Sequence, residues 1–246
     1  MIAVAEDANH RSKSIVFAVA TAQEKRACCA VIEARSGPGC ERPVFLQTGS
    51  GPLNLEELVD QVAGLRASAL ISIGTAGGLA PGIMPGSLLI PKRIRAPNGR
   101  ILQADSRWQA DVSAAMNPGL RVNAGDLLSV SELVRGAAEK RVLYSDTQAV
   151  GVDMESSQLA QAAERIGIRF LALRAVMDAW DDAIPGAARA AISASGDTSI
   201  LSLLVYLLRH PGDFGGMVRT ARRFRCAARS LQIACQSGGA ALLRSR

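Results

Sequence analysis

The sequence is poor in the residues that usually hold metal ions. Only two of its 246 residues are histidines, His10 and His210, and its five cysteines form no CxxC pair. Because zinc sites draw their ligands from such residues at short spacings, we expect no metal ion and no other cofactor. The cysteine count is odd and the spacing irregular, which favours reduced thiols.

Aromatic residues and long apolar runs are also scarce. Aromatics make up 4% of the chain and do not alternate with the arginines as a base-stacking surface requires, so we expect no nucleic-acid partner. No apolar run approaches the roughly 18 residues of a membrane span. Residues 1–14 are polar and of mixed charge, unlike a signal peptide. These absences favour a cytoplasmic protein.

The net charge of +6 is concentrated at the C-terminal end. From Arg209 onward the chain carries eight arginines and one acidic residue, Asp213, whereas residues 1–208 carry 20 basic and 21 acidic residues. The sequence therefore predicts a nearly neutral body with a basic tail.

Short apolar segments alternate with amphipathic ones through most of the chain. Residues 14–20, 69–74 and 169–178 are strongly apolar and predict buried strands. Residues 53–66 and 156–167 place apolar side chains three and four positions apart, which predicts helices. Such alternation is typical of an α/β fold with helices on both faces of a central sheet.

The remaining elements are predicted from local patterns. We expect a glycine-rich turn at 74–79, one strand at 87–94 and a helix from Ser106 to Met116. From about Ser193 to the C-terminus the pattern is helical. The length suits a single large domain, because no linker interrupts the chain.

Three segments place polar residues where predicted strands end, the edge at which α/β sheets bind ligands. In the first, Gly74 and Thr75 open a run of small residues that would let a ligand approach the backbone. In the second, Met154 and Glu155 join a strand to a helix. A carboxylate there can accept two hydrogen bonds from a sugar diol, and methionine offers the sugar an apolar face. In the third, Asp178 ends an apolar strand, where burial would raise its pKa and let it protonate a leaving base.

Each of these segments also has a purely structural explanation. The glycine run could be a tight turn that binds nothing, and Glu155 could simply favour the first turn of its helix. Asp178 could cap a following helix. Taken singly, none of the three decides between structure and chemistry.

Their combination is more specific. GTAGGL, PGSLLIP, VDMES and RAVMD follow one another in an order and at separations that resemble the nucleoside phosphorylase and nucleosidase superfamily, especially the methylthioadenosine/S-adenosylhomocysteine nucleosidases. The resemblance covers about residues 14–208. It implies a three-layer α/β/α fold with a central mixed sheet, a catalytic domain at 14–208 and a basic helical extension of that domain at 209–246.

The resemblance also implies roles for individual residues. Met154 and Glu155 would bind the ribose, and Asp178 would protonate N7 of the departing purine. Thr75, with Gly74 beside it, stands where these nucleosidases have a serine near the ribose and the attacking water. Glu24 falls at the position of the general base that activates this water. Leu133 and Val134 match the loop whose backbone contacts the adenine edge.

Related phosphorylases carry an arginine two residues before the glycine of the first motif, because phosphate requires cationic partners. Ser72 occupies that position here, which favours hydrolysis over phosphorolysis. Two departures indicate a changed substrate pocket. Met177 replaces the serine that usually precedes the aspartate, and the histidine- and aromatic-bearing stretch expected within residues 96–125 is missing.

The tail resembles that of the hopanoid-biosynthesis-associated members of the superfamily, which are taken to release adenine from adenosylhopane. In it, Phe214, Met217, Val218, Ala221, Phe224, Ala228 and Leu231 recur at spacings of three and four among arginines. Such a helix could lie on an anionic membrane, at the inner face of the cell membrane, with each arginine adding about 1 kcal/mol. An ordinary helix packed on the body explains the pattern equally well.

We therefore expect a purine nucleosidase acting on adenosylhopane, as a homo-oligomer like its relatives. The alternatives are a nucleosidase for methylthioadenosine or S-adenosylhomocysteine, a phosphate-dependent phosphorylase, and a catalytically silent nucleoside-binding protein at the membrane.

Overall fold

The structure is a computed structural model. It describes residues 14–37, 40–49, 51, 53–134, 136–182 and 214–244. The strands are β1 (Ser14–Val19), β2 (Arg42–Gln47), β3 (Ala67–Gly78), β4 (Leu88–Leu89), β5 (Arg93–Arg95), β6 (Ile101–Gln103), β7 (Val122–Asn123), β8 (Leu127–Ser129), β9 (Gly151–Asp153) and β10 (Arg169–Asp178). The helices are α1 (Ala22–Glu33), α2 (Leu55–Gly64), α3 (Ser106–Ala114), α4 (Ala137–Thr147), α5 (Ser156–Ile166) and α6 (Phe214–Leu242).

The ten strands form one mixed sheet, as predicted. Its main path runs β6-β5-β8-β9-β3-β10-β4-β7, and β1 pairs with both β2 and β3. The central strands β1, β3 and β10 are parallel to one another, whereas β9 runs antiparallel to β3. Parallel strands buried on both faces read as continuous apolar runs, which is why β1, β3 and β10 were recognisable from sequence.

Helices cover both faces of the sheet, because successive side chains of a strand point to opposite sides. On one face, Ile15 and Phe17 of β1 join a core that contains residues of α1, α3 and α6. On the other face, Val16 and Ala18 join a core with residues of α2 and α5. The resulting arrangement is the predicted three-layer α/β/α fold with a C-terminal helix.

Two of the local predictions were wrong. The expected glycine-rich turn at 74–79 is the end of β3, where Gly77 and Gly78 pair with Val152 and Gly151 of β9. Glycines suit this position because the side chains of Val152, Ile83 and Asp178 approach the strand closely. The single strand expected at 87–94 is two short strands, β4 and β5. The break between them includes Pro91, whose missing N–H cannot continue a ladder.

Other local predictions were confirmed, with small shifts. The predicted helix from Ser106 to Met116 is α3, which ends two residues earlier, and β6 and β7 in the polar segment around it were not foreseen. α5 ends at Gly167, whose φ of 74° is left-handed and suits glycine. Of the expected C-terminal helical region, residues 193–213 lie outside the described residues.

Among the described residues, no helix is both long and apolar enough to cross a membrane. In the same part of the chain, histidine, cysteine and carboxylate side chains form no cluster suited to a metal ion.

Candidate active site

The three segments singled out from the sequence meet at one end of the sheet. Gly77 of β3 pairs with Asp178 at the end of β10 and with Val152 of β9 on its other side. Val152 is followed directly by Asp153, Met154 and Glu155. The fold therefore brings Thr75, Glu155 and Asp178 to neighbouring strand ends, which sequence order alone did not require.

Glu24 reaches the same strand end from helix α1. It is the third residue of that helix and forms a capping box with Thr21, whose backbone N–H donates to Glu24 Oε2 at 3.0 Å. The other oxygen, Oε1, accepts from the backbone N–H of Thr75 at 2.7 Å and from its hydroxyl at 3.0 Å. The buried carboxylate is thus held against β3 by its neighbour in the predicted site.

Gly74 makes room for this contact. A Cβ atom at this position would lie 2.6 Å from Glu24 Oε1 and 2.6 Å from Arg174 Nη1. Both distances are shorter than van der Waals contact, so any side chain here would displace the carboxylate or the guanidinium. The structure gives Gly74 this packing role; its predicted role in substrate binding stays a prediction.

Glu155 lies at the N-cap position of α5, yet its side chain makes no capping hydrogen bond. Glu155 therefore does not stabilise the helix by a side-chain capping hydrogen bond, although its place at the helix start still suits the dipole. Instead Oε1 accepts from the backbone N–H of Gly51 at 3.2 Å. Met154 is half-buried beside it, with its Cε 3.9 Å from where a Cβ at Gly51 would stand.

The pKa of Glu155 is raised to about 7, chiefly because burial removes its carboxylate from water. The positive charge of Arg174, 3.5 Å from Oε2, opposes that rise, and the negative charges of Asp153 and Glu24 add to it. Glu155 therefore changes its charge in the neutral pH range.

Arg174, which sequence analysis did not single out, is the electrostatic centre of the site. It lies on β10 and is almost fully buried, and its Nη2 is 2.8 Å from Asp153 Oδ2. Besides Glu155, its other partners are hydroxyl and carbonyl oxygens, namely Ser72 Oγ at 2.6 Å, Ser156 Oγ at 3.1 Å and Thr75 O at 3.4 Å. A charged residue inside the apolar strand FLALRAVM was the available signal, since buried arginines are rare without partners.

Ser72 serves this arginine. It is fully buried, accepts from Arg174 and shares a second hydrogen bond with Ser156 at 3.0 Å. The position at which related phosphorylases carry an arginine is thus occupied here by a small hydroxyl that faces the core. Strand β3 itself contains no lysine or arginine.

Asp178 is buried at the end of β10, and its Oδ2 accepts a hydrogen bond from the Lys140 ammonium. Burial raises the pKa of Asp178, and the Lys140 charge and hydrogen bond oppose that rise. Asp178 caps no helix within the described residues, and residues 183–213, which follow the turn after it, lie outside them. Lys140 was missed by sequence analysis, because nothing in AAEKRV distinguishes it from the exposed Arg141.

The two loop residues predicted to contact the base lie close to the same strands. Val134 is buried in a small core with Leu79, Leu128, Ala149 and Val152, and Leu133 is half-buried. Val134 therefore belongs to the same small core as Val152 of β9, the strand that Met154 and Glu155 follow. Contact of these two residues with a base stays a prediction.

The site as a whole is rich in negative charge. Glu24, Asp153 and Glu155 surround one guanidinium, that of Arg174, and in the described part of the chain no second cation makes an ion pair with any of the three. Such a cluster suits a positively charged group better than an anion.

Known proteins resemble the chain in sequence and in fold. The family model of the phosphorylase superfamily matches residues 39–198. A solved structure of the 5′-methylthioadenosine/S-adenosylhomocysteine nucleosidase of Neisseria meningitidis, in complex with methylthio-immucillin-A, has a TM-score of 0.66 at 18% identity, over 92% of this chain and 99% of that chain. The futalosine hydrolase of Helicobacter pylori has a TM-score of 0.64 at 14% identity, over 92% and 98%. The 5′-methylthioadenosine/S-adenosylhomocysteine nucleosidase of S. pneumoniae has a TM-score of 0.62 at 16% identity, over 91% of this chain and 99% of that chain.

Proposed function

This chain belongs to the phosphorylase superfamily, and we propose that within it the protein is a purine nucleosidase that hydrolyses the N-glycosidic bond of an adenine nucleoside. The observation that carries the proposal is the convergence of three buried carboxylates, Glu24, Glu155 and Asp178, on the carboxyl ends of β3, β9 and β10. The folds shared with a nucleosidase and a futalosine hydrolase support it.

In this mechanism Glu24, Glu155 and Asp178 each have a separate role. Glu155 accepts hydrogen bonds from the ribose hydroxyls, and Met154 packs against the sugar. A proton passes through Asp178 to N7 of the purine, so that the base leaves as a neutral molecule when the glycosidic bond breaks. Glu24, held by Thr75, takes a proton from the water that adds to the ribosyl cation. The surrounding negative charge stabilises that cation.

Water is the better nucleophile for this site because the buried arginine is already occupied. Nη2 of Arg174 contacts Asp153, Glu155, Ser72 and Ser156, and Nη1 contacts the carbonyl oxygen of Thr75. Because the guanidinium is also almost fully buried, it does not present an exposed pair of nitrogens for a bidentate phosphate. Glu24, Asp153 and Glu155, the carboxylates around Arg174, would also repel a phosphate dianion.

The test is adenine release from 5′-methylthioadenosine, adenosine and adenosylhopane, measured with and without phosphate. We expect release in phosphate-free buffer at the same rate as in phosphate, with the free sugar as the second product, namely 5-methylthioribose, ribose or ribosylhopane. Strict dependence on phosphate, with a ribose 1-phosphate product, would establish a phosphorylase instead. Binding of adenine nucleosides without cleavage would establish the catalytically silent alternative.

We further propose that the nucleoside is adenosylhopane and that the enzyme works in the cytoplasm, at the inner face of the membrane. The resemblance of the tail to hopanoid-associated members supports this, and so does the exposure of Arg219, Arg222, Arg225 and Arg229 on α6. Val218 and Ala221 are also exposed near the start of the helix, whereas Leu231 is fully buried in the core. The membrane-facing surface would therefore be confined to the first half of α6; the side chains of Phe214 and Met217 lie outside the described part.

The lipid assignment has its own test. We expect the enzyme to cleave adenosylhopane faster than methylthioadenosine and to co-sediment with anionic vesicles but not with phosphatidylcholine vesicles. Substitution of Arg219, Arg222 and Arg225 by glutamine should abolish co-sedimentation and leave cleavage of a soluble nucleoside unchanged. Rapid turnover of methylthioadenosine without activity on adenosylhopane would overturn the assignment and favour the soluble nucleosidase.

A further inference from the structure

Lys140 is the one buried residue of helix α4. Its neighbours Glu139 and Arg141 are exposed, but its own side chain is only about 1% accessible. A lysine is rarely buried so fully unless its charge has a partner. Here the ammonium donates to Asp178 Oδ2 and, at 2.7 Å, to the backbone carbonyl oxygen of Ala179. The helix thus delivers one charged group to the acid of the site.

This contact changes the chemistry expected of Asp178. The Lys140 ammonium favours the ionised form of Asp178, which has no proton of its own to give to N7 of a purine, whereas burial favours the neutral acid. The pair as a whole nevertheless holds one transferable proton, because an ammonium–carboxylate pair and an amine–carboxylic acid pair have the same number of protons. A lysine can release that proton when it is desolvated, whereas an arginine cannot.

We propose that Lys140 and Asp178 together form the general acid of the reaction, with Lys140 holding the proton that Asp178 passes to the departing base. This inference rests on the proposed nucleosidase function. Asp178 touches the base, and Lys140 acts through it as a positioning residue.

The proton balance is simple. The Lys140 ammonium first passes its proton to Asp178 Oδ2, which gives a neutral amine and a carboxylic acid. The acid then gives that same proton to N7, so lysine ends as a neutral amine and Asp178 ends as a carboxylate. The glycosidic bond breaks with its electron pair on the purine, which leaves as a neutral base. The attacking water gives one proton to Glu24. Solvent later takes that proton from Glu24 and returns one to Lys140, so the enzyme is restored without a further reactant.

The geometry leaves Asp178 one oxygen for the substrate. Oδ2 accepts from Lys140, whereas Oδ1 accepts no hydrogen bond from the described residues and faces Gly77, where a Cβ would lie 3.4 Å from it. The missing side chain at Gly77 therefore leaves space beside Oδ1. A purine N7 can approach the carboxyl group on this side, and rotation about the Cβ–Cγ bond of Asp178 brings the protonated oxygen to face it.

Two other charged groups lie near the pair. Asp182 accepts from the backbone N–H of Ala179 at 2.8 Å and from Arg223 of α6 at 2.6 Å. The negative charge of Asp182 opposes ionisation of Asp178 and the positive charge of Arg223 favours it. Of the charged groups that act on the pKa of Asp178, Lys140 has the largest effect.

The first experiment compares Lys140→Met, Lys140→Arg and the control Lys92→Met, whose lysine is exposed, using the nucleoside that the wild type cleaves. In Lys140→Met, Asp178 must act as a lone carboxylic acid. Its kcat/KM should fall a few-fold at pH 6 and about 100-fold or more at pH 9, since a general acid contributes about 10² to 10⁴ in rate. The kcat/KM of Lys140→Arg should fall about 100-fold at every pH, because the guanidinium keeps Asp178 ionised and does not release a proton of its own.

The second experiment restores the missing group. In Lys140→Ala, small primary amines added to the buffer should recover activity, and the recovered rate should vary with the pKa of the amine. A residue that only supports the fold would not produce such a dependence. Melting temperature and binding of a 7-deaza nucleoside, which lacks N7, check that each variant is folded and binds.

The results distinguish a failure of the proposed role of Lys140 from a failure of the proposed nucleosidase function. If Lys140→Arg retains full activity, Lys140 is a structural partner and the inference is wrong. The same holds if the kcat/KM of Lys140→Met falls by one factor at all pH values. If the amines recover nothing from a folded Lys140→Ala variant, it is also wrong. A wild type that cleaves no nucleoside would instead overturn the proposed function.

Discussion

At the scale of single residues, the site depends on carboxylates that have lost most of their contact with water. A buried carboxylate loses hydration that an exposed one keeps, so its neutral form is favoured. The effect is clearest for Glu155, whose pKa is raised by burial and whose few compensating contacts are the Gly51 amide and Arg174 at 3.5 Å. Glu24 instead receives hydrogen bonds from Thr21 and from two groups of Thr75. The same residue type is thus placed in two different environments within one pocket.

Nucleoside binding should therefore weaken below neutral pH. The pKa of Glu155 is about 7, so the carboxylate that accepts hydrogen bonds from the ribose becomes protonated as the pH falls through 7. We expect the Kd of a 7-deaza nucleoside, measured by calorimetry, to rise about tenfold for each pH unit below 7. A 7-deaza compound is used because it lacks the N7 contact with Asp178. Glu155→Gln should bind weakly with no such pH dependence; a wild-type Kd that stays constant from pH 5.5 to 8 would contradict the assignment.

At the scale of the elements, the end of β3 organises the site. Thr75 and Gly77 lie two residues apart on this strand, a separation of about 7 Å. Thr75 holds the proposed base and Gly77 adjoins the proposed acid. An acid and a base on opposite sides of one bond require such a gap, in which the sugar and the attacking water can lie.

Gly74→Ala tests whether this strand must carry no side chain next to the proposed base. The added methyl group would stand 2.6 Å from both Glu24 Oε1 and Arg174 Nη1, so one of the two must shift. We expect kcat/KM to fall at least about tenfold and the free energy of unfolding to fall by about 1 to 3 kcal/mol. Gly64→Ala is the matched control, since its methyl group meets nothing within 4 Å and lies in helix α2. There we expect unchanged activity and equal or slightly higher stability.

At the scale of the whole molecule, the basic C-terminal helix is part of the fold. Ala227, Leu231, Ala234 and Cys235 of α6 are fully buried in the core that also contains Ile15 and Phe17 of β1. Its arginines nearest the N-terminal end are exposed, and Arg223 ties the helix to the turn after Asp178. One helix therefore stabilises the body and presents positive charge to the surroundings. The boundary between residues 208 and 209 and the homo-oligomeric state stay predictions.

Leu231→Ala should show how much the body depends on this helix. Removing a fully buried leucine leaves a cavity, so the free energy of unfolding in urea should fall by about 2 to 5 kcal/mol. Val218→Ala on the exposed part of the same helix should change it by less than about 0.5 kcal/mol. Equal effects of the two substitutions would mean that α6 does not pack as described.

Much of this architecture could be read from the amino-acid sequence by itself. The apolar runs of β1, β3 and β10 and the amphipathic pattern of α2 and α5 depend on local periodicity, which burial on one or both faces imposes directly. Four ordered motifs were enough to select Glu155 and Asp178, and the family resemblance that they carry implied Glu24. The fold brings the three carboxylates to one end of the sheet.

Tertiary structure decided the partners of these residues. Ser72 looked like a missing arginine, but its hydroxyl holds Arg174, which is 102 positions away in the chain. Lys140 and Arg141 are indistinguishable in a helical pattern, yet packing buries one against Asp178 and leaves the other exposed. Burial and pairing of charges depend on which distant strands and helices meet, because the cost of removing a charge from water is set by every group around it. Local sequence carries no record of those groups, so the proton-holding pair became visible only in the folded protein.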